Sequence, residues 1–362
     1  WVKADLRIPG ILSDYLEGTD LLLQFAATTS GAKDITERPY IHVTDNAVMN
    51  SYLLREAFEA KIKHFIFPSC TVMLQSKEFQ SEQDWDPREE INKNYFGVGN
   101  TKVYIEKMCK FYSSLGLKTT VIRHSNVYGP NDKFDLERSH VLGATIRKVL
   151  DASTGDCINV WGSGRARRDF VFVSDLVDFI CKAYTNQKNL FGLYNCGMGY
   201  SISINELVQK IISVSEKELT LKNDLSKPDL PTALSLDCSK AKNEINWINE
   251  TNFDEALNNV LLNLAKRVVS DGEGASKFIT INVSKCKNEI DAKKIALSVA
   301  NSPLVKTAIA GEDPNWGRVV MAIGKAGPKI NLKKLSVKYG NITIIEGGKL
   351  NQSYDEEQAA NY

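Results

Sequence analysis

An α/β fold, built on a doubly wound parallel sheet covered by helices on both faces, is predicted for the first two-thirds of this 362-residue chain. Three observations predict it. Apolar runs of strand length, rich in β-branched and aromatic residues, stand at 21–27, 64–69 and 118–124. Stretches with helical periodicity lie between them, at 47–60 and 101–115. Strands that alternate with helices pair in parallel, because each crossover must return over a face of the sheet. Around 249–258 that alternation gives way to helices, a Gly-rich turn and short strands, which predicts a separate α+β segment.

Taken in order, residues 2–6 read as an opening strand, followed by the three apolar runs. In the helix at 101–115, Tyr104, Met108, Phe111, Tyr112 and Leu115 share one face. Strands are expected at 157–161 and 170–173, then a helix over 175–184. The second segment is expected to hold helices at 253–269, 289–300 and 315–326, with strands at 278–283, 335–339 and 342–345. Domains are placed at 1–255 and 256–362, and no Pro/Ser-rich linker separates them.

Composition narrows the function classes. With 43% hydrophobic and 25% charged residues, the chain has the make-up of a globular protein that can bury a core. A formal charge of +1 gives no basis for general nucleic-acid or acidic-membrane binding. No apolar run is long enough to span a bilayer, and no signal peptide precedes the first expected strand. The seven cysteines are scattered, with no Cys-x-x-Cys pair, so neither a metal site nor a disulfide framework is expected. Reduced thiols suit a cytoplasmic protein. The chain opens at Trp1 rather than methionine and reads as something cut open.

Three patterns carry chemistry in the first segment. The run from His64 ends in Pro68-Ser69-Cys70-Thr71, which places small hydroxyl and thiol groups at a strand end, where ligands sit in such sheets. Lys102, with Glu106 one turn on, can hold a nicotinamide ribose and depress a neighbouring acid's pKa. The third pattern is Arg123-His-Ser-Asn-Val-Tyr-Gly-Pro-Asn-Asp-Lys-Phe, continuing to Ser139-His-Val141, with Val160-Trp-Gly-Ser-Gly and Arg168-Asp-Phe-Val-Phe following.

On these strings, residues 2–255 resemble the extended short-chain dehydrogenases, the NAD-dependent epimerase/dehydratase family with its Rossmann-like sheet, and within it the GDP-fucose synthases. The resemblance implies NAD or NADP as cofactor and a nucleotide-diphosphate sugar as substrate. It gives Ser69 the substrate-orienting hydroxyl, with Cys70 and Thr71 as alternatives. Lys102 becomes the cofactor-ribose lysine and His140 the acid that protonates a carbanion. Asn126 lines the nicotinamide, Ala26 and Ala27 lie beside the cofactor, and Asp5 and Leu6 lie near its adenine. Lys148, Trp161 and Arg168 grip the nucleotide diphosphate, for which cationic donors and an aromatic surface are suited.

Departures from the pattern are equally specific. The family's Tyr-x-x-x-Lys would put tyrosine at 98, where this chain has Val98, and Tyr95 is seven residues before Lys102. No Gly-rich phosphate loop occurs near the start, so weak or absent dinucleotide binding is expected.

The second segment carries Asp271-Gly-Glu-Gly-Ala-Ser-Lys-Phe278 and Ser302-Pro-Leu-Val-Lys-Thr-Ala-Ile-Ala-Gly-Glu-Asp-Pro-Asn-Trp-Gly-Arg318. These resemble part of the ornithine acetyltransferases, in which a self-released N-terminal threonine carries the acetyl group. The resemblance implies N-acetylornithine and glutamate as ligands, with Glu273 contacting the amino-acid ammonium. The nucleophile would belong upstream of this segment, so acetyl transfer is expected to fail. Both parent families imply homo-oligomers. The simplest reading is two enzyme segments in tandem from a fragmentary or misassembled coding sequence. The alternatives are a true fusion that works through its front half, and a degenerate binding or oligomerisation protein.

Overall fold

In the computed structural model, residues 1–28, 38–134, 136, 139–227 and 232–360 are described. Two units divide the chain, Trp1–Asn263 and Leu264–Tyr362. The first begins with turns rather than the strand expected at 2–6: Ile8 N bonds to Asp5 O and Ser13 N to Gly10 O. Pro9 and Gly10 favour that path, since proline cannot donate to a ladder and glycine takes the positive φ of 78°.

The unit continues through α1 (Ser13–Leu16), β1 (Leu21–Leu23), α2 (Pro39–Glu59), β2 (His64–Pro68), β3 (Lys77–Gln80), α3 (Phe96–Ser114), β4 (Lys118–His124) and β5 (Asn126–Tyr128). Then come α4 (Val141–Asp151), β6 (Cys157–Trp161), β7 (Arg167–Arg168), β8 (Phe170–Phe172), α5 (Val173–Asn186), β9 (Phe191–Cys196) and β10 (Ile202–Ser203). It closes with α6 (Ile204–Ser215), β11 (Thr220–Asp224), β12 (Leu234–Leu236), α7 (Ser239–Ile245) and the start of α8 (Phe253–Ser270).

Four strands form the main sheet in the order β1-β2-β4-β9, every pair parallel. This is the doubly wound α/β sheet predicted from the alternation. Strand side chains alternate between two layers, so both faces need cover. Phe65, Phe67 and Val121 pack with Leu53 and Leu54 of α2 and Ile105 of α3. Ile66 and Ile122, pointing the other way, pack with Phe179 of α5, Tyr194 of β9 and Trp247. The face of α3 turned inward carries small residues and a carboxylate, Gly99, Thr101, Val103, Ile105, Glu106 and Cys109. Its aromatic face is the outer one, with Tyr104, Phe111 and Leu115 exposed. Beyond the strand ends, β5 pairs with β8 and β6 with β11 in parallel, while β7 pairs with β10 antiparallel.

The second unit joins helices α9 (Glu289–Ala300), α10 (Pro303–Ala310) and α11 (Trp316–Gly324) to an antiparallel sheet of β13 (Val337–Tyr339), β14 (Ile342–Glu346) and β15 (Lys349–Leu350). A short helix, α12 (Glu356–Ala360), follows. Ile344 and Ile345 of β14 with Trp316 and Ile323 of α11 form one core, and Val299, Val305 and Ala322 another. The strand expected at 278–283 does not form: that segment is extended without a ladder, and Phe278 and Ile279 stay exposed.

Candidate functional site

Where β2 ends, the backbone keeps its ladder for one more step, Ser69 N donating to Ile122 O at 2.7 Å. That register turns the Ser69 side chain into the core. Its Oγ donates to Glu106 Oε1 at 2.7 Å, and only 1% of the residue is exposed. Glu106 is in turn paired with Arg123 of β4 at 2.7 Å, both side chains buried. The hydroxyl is thus taken up by a buried ion pair rather than offered to an open surface.

The next residue, Cys70, is partly exposed. Burial pushes its thiol up, while the Lys102 ammonium nearby pulls it back down. Lys102 projects from α3 to the same strand end, its Nζ donating to Pro68 O at 3.3 Å and lying 4.6 Å from the Phe67 ring centroid. His124 closes β4 and bonds through Nδ1 to Ser125 O at 2.8 Å. That carbonyl can only accept, so Nδ1 carries the proton and Nε2 is left as the acceptor. Burial holds His124 down to about 4, with the charges of Lys102 and His140 adding to the effect. His140 is exposed at the N-cap of α4 and makes no capping bond. Lys102 therefore lies within electrostatic reach of both Cys70 and His124 at the C-terminal ends of β2 and β4, and His140 within reach of His124. Val98, one turn before Lys102, is half-buried and aliphatic. Tyr95 packs against Met73, Ile91 and Val103.

Asp5, Leu6, Ala26 and Ala27 come together as well. With Arg7, Thr28, Asp45 and Met49 they line a surface hollow of about 380 Å³ at the end of β1. Arg7 is clamped between two carboxylates, Asp5 at 2.8 Å and Asp45 at 3.3 Å. The guanidinium holds the Asp5 carboxyl down to about 2. A larger hollow, about 500 Å³ beside Lys133 and Arg147, takes in none of the site residues inferred from the sequence.

On the far side of the strand ends, Asn126 is fixed by Nδ2 donating to Asp169 O at 2.9 Å. The Asp169 carboxylate is buried and accepts from Met198 N and Leu236 N, both at 2.9 Å. Desolvation pushes it up to about 7. A side chain at Gly197 would come within 2.7 Å of that carboxylate, which gives glycine in the Asn195-Cys196-Gly197 string a steric reason. Lys148 and Trp161 both meet β6: Lys148 Nζ donates to Asn159 O at 3.1 Å, and Trp161 is exposed with Lys227 Nζ 5.7 Å from its ring. Burial lowers the Lys148 ammonium. Arg168 stands on the separate β7–β10 ladder, held by Thr232 Oγ1 at 2.5 Å. Glu273 lies exposed in the turn after α8, where Gly274 takes a φ of 72°.

Two features escaped the sequence reading: His124 as a member of the cluster, and the Glu106–Arg123 pair beneath it. The available signal was a charged residue at a core position of each element, Glu106 on the inner face of α3 and Arg123 within the apolar β4 run.

Comparison with known proteins matches two families along the chain. Residues 1–197 match the model of the NAD dependent epimerase/dehydratase family, and residues 201–362 that of the ArgJ family. Among solved structures, UDP-glucose 4-epimerase from Thermotoga maritima superposes with a TM-score of 0.63 at 23% identity, covering 74% of this chain and 84% of that one. A UDP-glucuronic acid 4-epimerase from Bacillus cereus gives 0.64 at 21% identity, covering 74% and 81%. Such likenesses establish the fold.

The arginine biosynthesis bifunctional protein ArgJ of Ruegeria pomeroyi is 47% identical over 144 residues, 40% of this chain and 34% of the relative. That of Bradyrhizobium diazoefficiens is 54% identical over 108 residues, 30% of this chain and 26% of the relative. The chain thus spans about a third or a quarter of the length of these ArgJ relatives. With more than half its length matched by the first model, the chain belongs to the NAD dependent epimerase/dehydratase family, followed by an ArgJ-family segment over residues 201–362.

Proposed function

We propose that the first unit binds NAD and a nucleotide-diphosphate sugar and works on the sugar beside a carbonyl. One observation carries this reading: Lys102, its Nζ on the Pro68 carbonyl, stands beside both Cys70 and His124 at the C-terminal strand ends, where ligands bind in open α/β sheets. The hollow at the end of β1 fits the adenosine end of a dinucleotide. Ala26 and Ala27 leave room, Leu6 and Met49 offer apolar surface, and carboxylates stand ready for ribose hydroxyls. Two carboxylates against one guanidinium leave a negative balance that disfavours an extra ribose phosphate, so NAD is preferred to NADP. When bound, the nicotinamide supplies a hydride donor or acceptor.

The chain's own groups then divide the work. Lys102 holds the ribose and stabilises anionic neighbours. Asn126, fixed by Asp169, lines the nicotinamide. Cys70 rather than Ser69 faces the sugar, because the Ser69 hydroxyl is bound to Glu106. Val98 leaves oxidation of a sugar hydroxyl without a phenolic base. Proton exchange next to an existing ketone needs no such base, and Cys70 and His140 can carry it. Lys148, Trp161 and Arg168 receive the nucleotide diphosphate. A GDP-sugar of the fucose-synthase type is the first candidate, on the string from Arg123 to Val141. Calorimetric titration with NAD, then with GDP- and UDP-sugars, tests binding. Incorporation of solvent deuterium into a 4-keto nucleotide sugar tests the chemistry. The expected result is NAD binding weakened by the lack of a Gly-rich phosphate loop near the start, with deuterium uptake lost in Cys70→Ala and in His140→Asn. Absence of both NAD and nucleotide-sugar binding sinks the reading.

A second activity is supported by the ArgJ match: Glu273 would grip the ammonium group of N-acetylornithine or glutamate in an acetyl transfer. Formation of acetylglutamate from acetylornithine by the pure chain is the assay. No product is expected, because the nucleophile would belong upstream of this segment, so the role of Glu273 is read from calorimetric binding of N-acetylornithine, where a Glu273→Gln variant that matches the parent chain removes the residue from the role.

A further inference from the structure

We propose that Glu106 and Ser69 act together as positioning residues: the Ser69–Glu106 hydrogen bond fixes the turn after β2 and thereby the placing of Cys70 against Lys102. Three anchors converge on two successive residues of that turn. Lys102 holds the Pro68 carbonyl at 3.3 Å, Glu106 takes the Ser69 hydroxyl at 2.7 Å, and Ser69 N closes on Ile122 O at 2.7 Å. Lys102 and Glu106 are one helical turn apart on α3, so one helix face clamps two adjacent residues of the strand end.

Glu106 is itself immobilised. Arg123 bonds it through Nε at 3.2 Å to each oxygen and through Nη2 at 2.7 Å, while Nη1 reaches Glu82 O and the guanidinium lies 5.3 Å from the Trp85 ring centroid. A buried pair of this kind is weak as a source of stability but strict about geometry, because every donor has one place to go. Cys70 is the first residue past the clamp, and the charges that act on its thiol are those of Lys102, Glu106 and Arg123.

The inference rests on the reading of Cys70 as a reacting group beside Lys102, but its test does not require substrate. Alkylation of Cys70 by iodoacetamide is followed on the full chain by peptide mass spectrometry across a pH range. The plateau rate at high pH reports access to the thiol, and the midpoint reports the charges around it. Ser69→Ala is expected to raise the plateau by roughly fivefold, the factor one lost hydrogen bond corresponds to. Ser69→Thr, which keeps the hydroxyl, returns the plateau to the parent value and stands in should the alanine variant not fold. Glu106→Gln leaves a carbonyl for Ser69, so it shifts the midpoint down while the plateau holds. A plateau unchanged or lowered in Ser69→Ala overturns the proposal. So does a plateau that climbs as far in Glu106→Gln as in Ser69→Ala, since the pair would then act only through core stability. Either failure leaves the binding titrations above untouched.

Discussion

Position 98 decides what chemistry Lys102 can support. In a helix the residue four before Lys102 lies on the same face, so a phenol there would sit beside the ammonium and share its effect on acidity. Val98 offers neither a proton nor an acceptor. A positioned acid or base contributes typically 10²–10⁴-fold to such a step. Val98→Tyr is therefore expected to raise the rate of sugar-hydroxyl oxidation by about 100-fold. The absorbance of the reduced nicotinamide measures it. An unaltered rate in a folded variant that still binds NAD would mean that another residue already serves as the base. Cys70 illustrates the same point from the other side. At the end of a strand, a change of one residue in phase moves a side chain from pocket to core. In Ser69-Cys70-Thr71 all three side chains are small and mildly polar, so the sequence has no means of saying which faces inward. The carboxylate of Glu106, brought from another element, settles it.

Helices and strands show where local signals suffice. The β4 strand was legible from end to end, because its Thr-Thr-Val-Ile core follows Gly116 and is needed on both faces of the sheet. The segment at 278–283 alternates Ile279, Ile281 and Val283 with polar residues but makes no ladder, and alternation alone does not supply a neighbour. Asp5 and Ala26 came together through the resemblance and not through any spacing, since 20 residues of chain lie between them. Element ends are set by contacts of a similarly remote kind. At the C-terminus of α4, Lys217 Nζ donates to Val149 O, Leu150 O and Ala152 O at 3.0, 2.8 and 2.7 Å. These carbonyls have no partner in their own helix, and a cation there also meets the negative end of the helix dipole. Lys217→Met keeps the apolar stem and removes the charge and three donors. It is expected to lower stability by about 1–2 kcal/mol, read as a lower urea midpoint with an unchanged slope. No shift in the midpoint would show that solvent satisfies these carbonyls equally well.

At the scale of the whole molecule, acid sensitivity should come in part from a buried ring other than His124. His64 in β2 is 2% exposed and stacks on Tyr184 at 5.8 Å. Thr120 donates its hydroxyl to Gln187 Oε1, so it can only accept from His64 Nε2, at 2.7 Å. The Gln187 amide nitrogen is committed to Thr119 O and Asn189 O, which fixes that orientation. Nε2 therefore carries the proton of a neutral ring, and Nδ1 is buried without a partner. Charging the ring would place a proton on Nδ1 with nothing to receive it. Burial, aided by the charge of Lys118, accordingly lowers His64 from 6.5 to about 4. Because the folded value lies below the unfolded one, the stability this residue contributes is complete above pH 6.5. It is lost as the pH falls toward 4, where the folded ring also takes up a proton. The loss amounts to about 2–3 kcal/mol over that window. His64→Gln keeps a donor for Thr120 but cannot titrate, and His124 remains in both proteins, so the difference between them isolates this ring. Urea unfolding, followed through the transition that exposes the buried Trp247, should show the parent chain losing stability faster than the variant between pH 6.5 and 4. Parallel pH profiles would place the acid sensitivity of the sheet elsewhere than in β2.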